Sequence, residues 1–263
     1  MGYIASYEKF AKNGRVYSTL NPTGTGTLRF SSSNPNQQQV SKQEEVNTRY
    51  CFGPEEGREW WALDFENLEL RIPAYEAGEQ VMIDLFERPD EAPYFGSYHL
   101  LNASIVYPDL FWPIAEVKGE FKKRYASTYY QWIKNFDFAI QYGAMLGSGT
   151  ADRAAHKVGA QAMVMSTLKN LAKLNDQMIA MANRLGYVET IPDRNVSPDR
   201  GYPIYCQRTP WGKISPTIPL SYHVQSTAMW CTSRAMVRCQ EQLDEWNRTD
   251  SRGHYMTIQC HDE

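Results

Sequence analysis

The chain has 263 residues, of which 42% are hydrophobic and 22% charged, and a formal net charge of −3. That length suits one large domain or two joined ones with a sizeable core, while no apolar run is long enough to span a bilayer and no signal-peptide pattern opens the chain. The slight acidity speaks against a uniformly basic nucleic-acid binder, although positive side chains gathered in one cleft would outweigh net charge.

Residues 1–58 are polar and rich in Ser, Asn, Gln, Thr and Gly, with short β-prone runs. Within them Ser31-Ser32-Ser33-Asn34-Pro35-Asn36 has the composition of a linker. Glu59-Trp60-Trp61-Ala62-Leu63-Asp64 predicts a buried strand that ends in a carboxylate. Residues 65–190 predict mostly helix. Pro73 places the start of the first helix near Arg71, or a kink there, because proline is tolerated only in the first turn. Leu168, Leu171, Leu174, Met178, Met181 and Leu185 recur at spacings of three and four, and Gly186 follows as a stop. That stripe faces a core. A proline-rich loop covers 191–220, then a helix from about Val224 to Trp246. Met256-Thr257-Ile258-Gln259-Cys260 alternates as a strand and leads into His261-Asp262-Glu263. The five cysteines (Cys51, Cys206, Cys231, Cys239, Cys260) are scattered, with no pair at zinc-site spacing. They predict reduced packing residues in a reducing compartment.

Asp64 ends one apolar strand and Asp262 follows another. If the two strands are neighbours, both carboxylates project into one cleft, where a pair of divalent cations can serve in-line phosphoryl displacement. Oxygen donors of this kind favour magnesium. An isolated Asp at a strand end is more often a turn residue, so the surroundings must decide. Between the two lies a helix with Tyr130, Lys134, Phe138 and Tyr142 four residues apart on one face, and Ile133, Phe136 and Ile140 on another. One cation among aromatics suits a nucleoside triphosphate, with phosphate on the ammonium and a ring against base or sugar. The plainer alternative is an amphipathic helix with buried aromatics.

These segments resemble the family A DNA polymerases. Asp64-Phe65-Glu66-Asn67-Leu68-Glu69-Leu70-Arg71 is similar to their motif A, D-[YF]-S-x-[IL]-E-L-R, and His261-Asp262-Glu263 to motif C, H-D-E. Tyr130, Lys134, Phe138, Tyr142 and Gly143 follow motif B, R-x3-K-x3-[FY]-x3-Y-G, in the family's order, except that Tyr130 stands where the family has arginine. The resemblance implies that two Mg2+ ions are held by Asp64, Asp262 and the backbone carbonyl of Phe65, with Glu263 beside them. It implies that Lys134 binds the incoming triphosphate and protonates the departing pyrophosphate. Phe138 packs on its sugar and base, Tyr142 stands near the templating base, and Tyr130 lies in the same nucleotide site. Glu69 matches the steric gate against ribonucleotides. His99, in Ser97-Tyr98-His99, sits where the family has D-I-H, near the triphosphate.

Residues 25–39 resemble the family's T-x-T-G-R-L-S-S-x-x-P-N-L-Q-N segment, which contacts the primer-template duplex; Arg29, Asn36 and Gln38 then touch DNA. Amides and an arginine suit the acceptors that every base pair presents in the minor groove. Leu28 replaces the glycine before the arginine, so a different local turn is expected. Val224-Gln225-Ser226-Thr227-Ala228 resembles V-Q-G-T-A, which adds Gln225 to the duplex contacts, and His261 joins them. Gly201-Tyr202-Pro203 and the prolines after it look most like phage-type members.

The implied fold is α+β: a polymerase palm of antiparallel sheet plus helices, with an inserted, mostly helical fingers region. The expected division is palm over 1–90, fingers over 91–215 with the motif B helix near 125–146, and palm again over 216–263. The partners are primer-template DNA and dNTPs, with no membrane, and the location is the cytoplasm, of a host if phage-encoded. The resemblance runs from about residue 17 to the end of the chain, without the family's thumb or exonuclease, so missing segments or partner chains are expected. Three alternatives remain. The first is a DNA-binding fragment that does not extend primers. The second is a phage-like single-subunit RNA polymerase, against which Glu69 and Glu263 speak. The third is a metal-dependent nuclease, which leaves the motif B helix unexplained.

Overall fold

Helix dominates from residue 68 onward, while the polar N-terminal part forms short hairpins. The structure is a computed structural model and describes residues 7–22, 24–40, 48–141 and 149–257. The chain divides into two compact units, Met1–Glu66 with Gln225–Glu263, and Asn67–Val224. Together, helices and small antiparallel sheets make an α+β fold.

In the first unit, β1 (Ala11–Lys12) and β2 (Arg15–Val16) are antiparallel. Asn13 and Gly14 between them both have positive φ, at 53° and 73°, which fits the two-residue turn that Asn-Gly favours. β3 (Thr19–Asn21) pairs antiparallel with β4 (Ser31–Ser33), Leu20 opposite Ser32. The serine run is therefore a strand and not a linker. Next to it, Asn36 caps a short 3-10 helix, Gln37–Gln39, by accepting from the Gln38 amide at 3.0 Å.

Two strand expectations fail in this unit. Residues 59–64 form no strand, and Trp61 and Leu63 are 83% and 67% exposed. A strand exists through its ladder partner, and among the described residues no strand lies in a ladder with this segment. The same holds for Met256 and Thr257, which are exposed and form no strand; 258–260 lie outside the described residues. Cys51 is exposed, against the expectation of a packing residue, whereas Cys206 is buried.

The second unit is a helical assembly. α1 (Leu68–Ala77) packs on α2 (Gln80–Glu87) and on α9 (Lys169–Leu185). α3 (Tyr98–Val106) lies at the centre and contacts α4 (Pro108–Phe111), α6 (Tyr129–Gln141) and α8 (Ala160–Thr167). α5 (Glu120–Tyr125) and α7 (Thr150–Ala154) flank α6. β5 (Tyr187–Glu189) pairs antiparallel with β6 (Pro203–Tyr205) inside the stretch expected to be loop. The long α10 (Ile218–Thr249) starts here and carries Pro219 in its first turn, where proline costs nothing.

The core follows the periodicities. Ile133, Phe136 and Ile140 are fully buried, as are Leu168 and Val164. Leu171, Leu174 and Met178 face inward, and α9 stops at Gly186 with φ +80°, a left-handed cap that glycine adopts without strain. Met181 is only half-buried, and Leu185, the last of the predicted stripe, is exposed. α1 begins at Leu68 and not near Arg71, so Pro73 sits inside it. Pro73 is buried, and with Leu70 and Met82 it lines a small apolar gap in the core. Packing there offsets the hydrogen bond that proline cannot make.

Candidate nucleotide site on the motif B helix

α6 arises from a clean amphipathic pattern. Its apolar side, Ile133, Phe136 and Ile140, is buried, and the opposite stripe of Tyr130, Lys134 and Phe138 is half-buried or exposed. Spacing of four thus places these three candidate residues on one face, as expected. Tyr142 lies outside the described residues. Beside Phe138 opens a pocket of about 590 Å3 that also touches Asn135, Thr150, Thr217 and Ser221.

α3 brings His99 to the same face. Ser97 caps this helix by accepting from the Leu100 amide at 3.3 Å, so the serine that replaces the family's aspartate is a helix cap. The His99 ring lies 6.0 Å from the Tyr130 ring and 6.5 Å from the Phe138 ring, one helical turn on either side of Lys134. Lys122 of α5 sits over the Tyr130 ring at 6.0 Å. Burial raises the Tyr130 hydroxyl, and the nearby Asp137 charge adds to this, which keeps the phenol neutral.

Asp137 is the residue that sequence reasoning missed. It is fully enclosed, yet its Oδ2 lies 2.5 Å from His99 Nδ1, and its Oδ1 accepts from Asn102 Nδ2 at 2.6 Å. Burial pushes its carboxyl up to about 6, while His99 and Asn102 pull it down. A signal was available: position 137 lies four residues after Ile133 and three before Ile140, at the edge of the apolar face. A carboxylate there must find a donor.

The other predicted residues fall as follows. Glu69 lies in the first turn of α1, half-buried. Asp64 and Phe65 are exposed on the segment before α1. A carboxylate and a carbonyl are hard oxygen donors that fit Mg2+; Asp262 and Glu263, the rest of the expected set, and His261 lie outside the described residues. Among the described residues no three acidic, His or Cys side chains cluster to hold a metal. Arg29, Asn36 and Gln38 are half-buried on the β4 side of the first unit, and Gln225 is half-buried on α10. Leu28 has φ +61°. This left-handed backbone costs leucine roughly 1–2 kcal/mol. In the same unit Arg58 donates to the carbonyls of Gly253, at 2.5 Å, and Arg252, and its guanidinium lies over the Tyr255 ring. The chain leading to Asp64 is thereby tied to the chain leading toward Asp262.

Comparison with known proteins covers nearly the whole chain. The family model for DNA polymerase family A matches residues 2–263, which extends the resemblance to the N-terminal residues. The thermostable DNA polymerase I of Thermus aquaticus is 27% identical over 258 residues, 96% of this chain and 28% of the relative. DNA polymerase I of Aquifex aeolicus is 32% identical over 103 residues, 39% of this chain and 16% of the relative. A solved structure described as the POL domain of Pol1 from M. smegmatis in complex with DNA primer-template and dNTP superposes with a TM-score of 0.70. It shares 20% identity and covers 98% of this chain and 43% of that one. The chain therefore spans less than half the length of these relatives.

Proposed function

Because the chain belongs to DNA polymerase family A, we propose that it forms the palm-and-fingers part of a template-dependent DNA polymerase that adds dNTPs to a primer 3′-hydroxyl. The observation that carries this reading is the α6 face, where Lys134 stands between two aromatic rings with His99 against them. In this reading residues 1–90 and 216–263 are palm and 91–215 are fingers. The protein would work in the cytoplasm on primer-template DNA, and among its described residues no helix is long and apolar enough to cross a membrane.

The reaction is phosphoryl transfer, in which positioning and charge do most of the work. Lys134 would bind the triphosphate as a point charge and hand a proton to the leaving pyrophosphate. Phe138 would stack on the nucleotide, Tyr142 would border the templating base, and Tyr130 would line the site. Glu69 would crowd the ribose 2′ position and so disfavour ribonucleotides. Arg29, Asn36, Gln38, Gln225 and His261 would hold the duplex through its minor groove and backbone. Asp64, Asp262 and the Phe65 carbonyl would hold two Mg2+ ions, with Glu263 beside them. When bound, these ions neutralise the triphosphate and favour ionisation of the primer hydroxyl. The tie from Arg58 to Gly253 supports a shared location for the two aspartates.

Primer extension tests this. The chain with primer-template, dNTPs and Mg2+ should lengthen the primer, and Asp64→Ala should lower the rate by more than about 10³-fold, beyond the worth of a single hydrogen-bond donor. Near-normal extension by the variant would refute the assignment of Asp64. Duplex binding without extension by the wild-type chain would point to the non-extending fragment.

A further inference from the structure

The family's motif B arginine is absent here, since Tyr130 fills its position. Its positive charge at the triphosphate needs another source. We propose that Asp137 is a positioning residue that turns His99 into a proton-linked ligand for the triphosphate, so that an imidazolium supplies charge where the arginine is missing. The inference rests on the reading of the α6 face as a nucleotide site.

The geometry runs outward from the core. Asn102, wholly buried on α3, donates to Asp137 Oδ1 at 2.6 Å and holds the carboxylate in one rotamer. The other oxygen lies 2.5 Å from His99 Nδ1. The Asp137 side chain is 3% exposed and the His99 side chain 24%, so the pair has a closed end and an open one. An ionised Asp137 only accepts, so Nδ1 must carry a proton. Nε2 is then the nitrogen left for a ligand. In a neutral ring that nitrogen is a lone pair and repels a phosphate oxygen. Only a second proton makes it a donor.

The groups around His99 are consistent with this. α6 presents Tyr130, Lys134 and Asp137; α5 presents Lys122 over the Tyr130 ring; Tyr98 is buried on the same helix as His99. α8, packed against α3, brings no titratable side chain, and α4 brings only the exposed Asp109. Asp137 is thus the single acid in the set that touches the ring.

Binding of Mg·dTTP to the full chain tests the proposal, by calorimetry at several pH values and in two buffers of different ionisation heat. The wild type should take up a proton on binding, approaching one per site at the high end of the pH series, and lose affinity there by up to about tenfold per pH unit. Asp137→Asn changes the logic. Asn102 would hold the new amide's oxygen, its NH2 would donate to Nδ1, and Nε2 would carry the ring's own proton. This variant should bind without proton uptake and with a flat pH profile. His99→Gln, which leaves the core in place, should do the same and serves if Asp137→Asn does not fold. In primer extension both variants should raise the KM for dTTP more than they lower kcat. Binding by the wild type without proton uptake, or equal uptake by the variants, would overturn the proposal and leave the polymerase reading intact. Absence of Mg·dTTP binding would overturn it together with the nucleotide site, and primer extension then decides the wider reading separately.

Discussion

His223, at the start of α10, has both ring nitrogens engaged in the core. Nδ1 donates to the Glu189 carbonyl at 2.5 Å, and Nε2 meets the Glu76 carboxylate. Burial works to lower its affinity for a proton, but Glu76 and the Glu189 carbonyl outweigh it and the net shift is upward. The folded chain therefore holds this proton more tightly than the unfolded one. The contribution of the pair is complete below the ordinary histidine value of 6.5 and fades as pH rises through the raised folded value. Urea denaturation should show the wild type losing stability as pH rises above the ordinary histidine value. Glu76→Gln keeps an acceptor without the charge and should remove most of that slope. A slope unchanged in the variant would assign it to other groups. At this scale spacing and motif were enough to group Lys134, Phe138 and His99, which the structure places on one side of α6. They did not show Asp137 or His223, whose partners lie far along the chain.

Among the elements, helix-forming patterns were the most legible, because a helix satisfies its own backbone and needs only one apolar stripe. α6 and α9 appear where periodicity put them, and α10 extends a few residues past both expected ends. The segment 59–64 was not legible, since its apolar side chains say nothing about whether a partner strand lies alongside. Helix ends also draw on distant residues. Glu79, buried at the start of α2, accepts from the amides of Asn170 at 2.9 Å and Leu171 at 3.2 Å, which lie in the first turn of α9. These amides have no partner within their own helix, and a carboxylate also suits the positive end of the helix dipole. Glu79→Ala should cost about 2 kcal/mol in thermal unfolding, and Glu79→Gln, which retains an acceptor, about half of that. Equal stability of all three proteins would show that solvent caps α9 as well as Glu79 does.

At the scale of the molecule, the largest fully buried side chains among the described residues, from Met82 and Phe111 to Leu220 and Val224, belong to the unit Asn67–Val224. That unit is one uninterrupted stretch of chain with its own core. Residues 67–224 produced alone should therefore be helical by circular dichroism and unfold in a single cooperative transition. A broad, non-cooperative melt would show that the unit depends on the rest of the chain. The α+β fold persists at 20% identity to the mycobacterial domain, as expected when a core needs volume and pattern more than particular residues.

The chain passes between its two units at two points, after Glu66 and after Val224. The first crossing splits the run that begins with Asp64 and ends with Arg71, and the second splits Val224 from Gln225. Recombination usually exchanges domains at exposed, indifferent linkers, but here both seams run through the motifs themselves. A helical unit imported from another lineage would bring half of each run with it and would have to match the resident half. The helical unit is thus self-sufficient in its packing and yet poorly exchangeable, so the two parts should be inherited together.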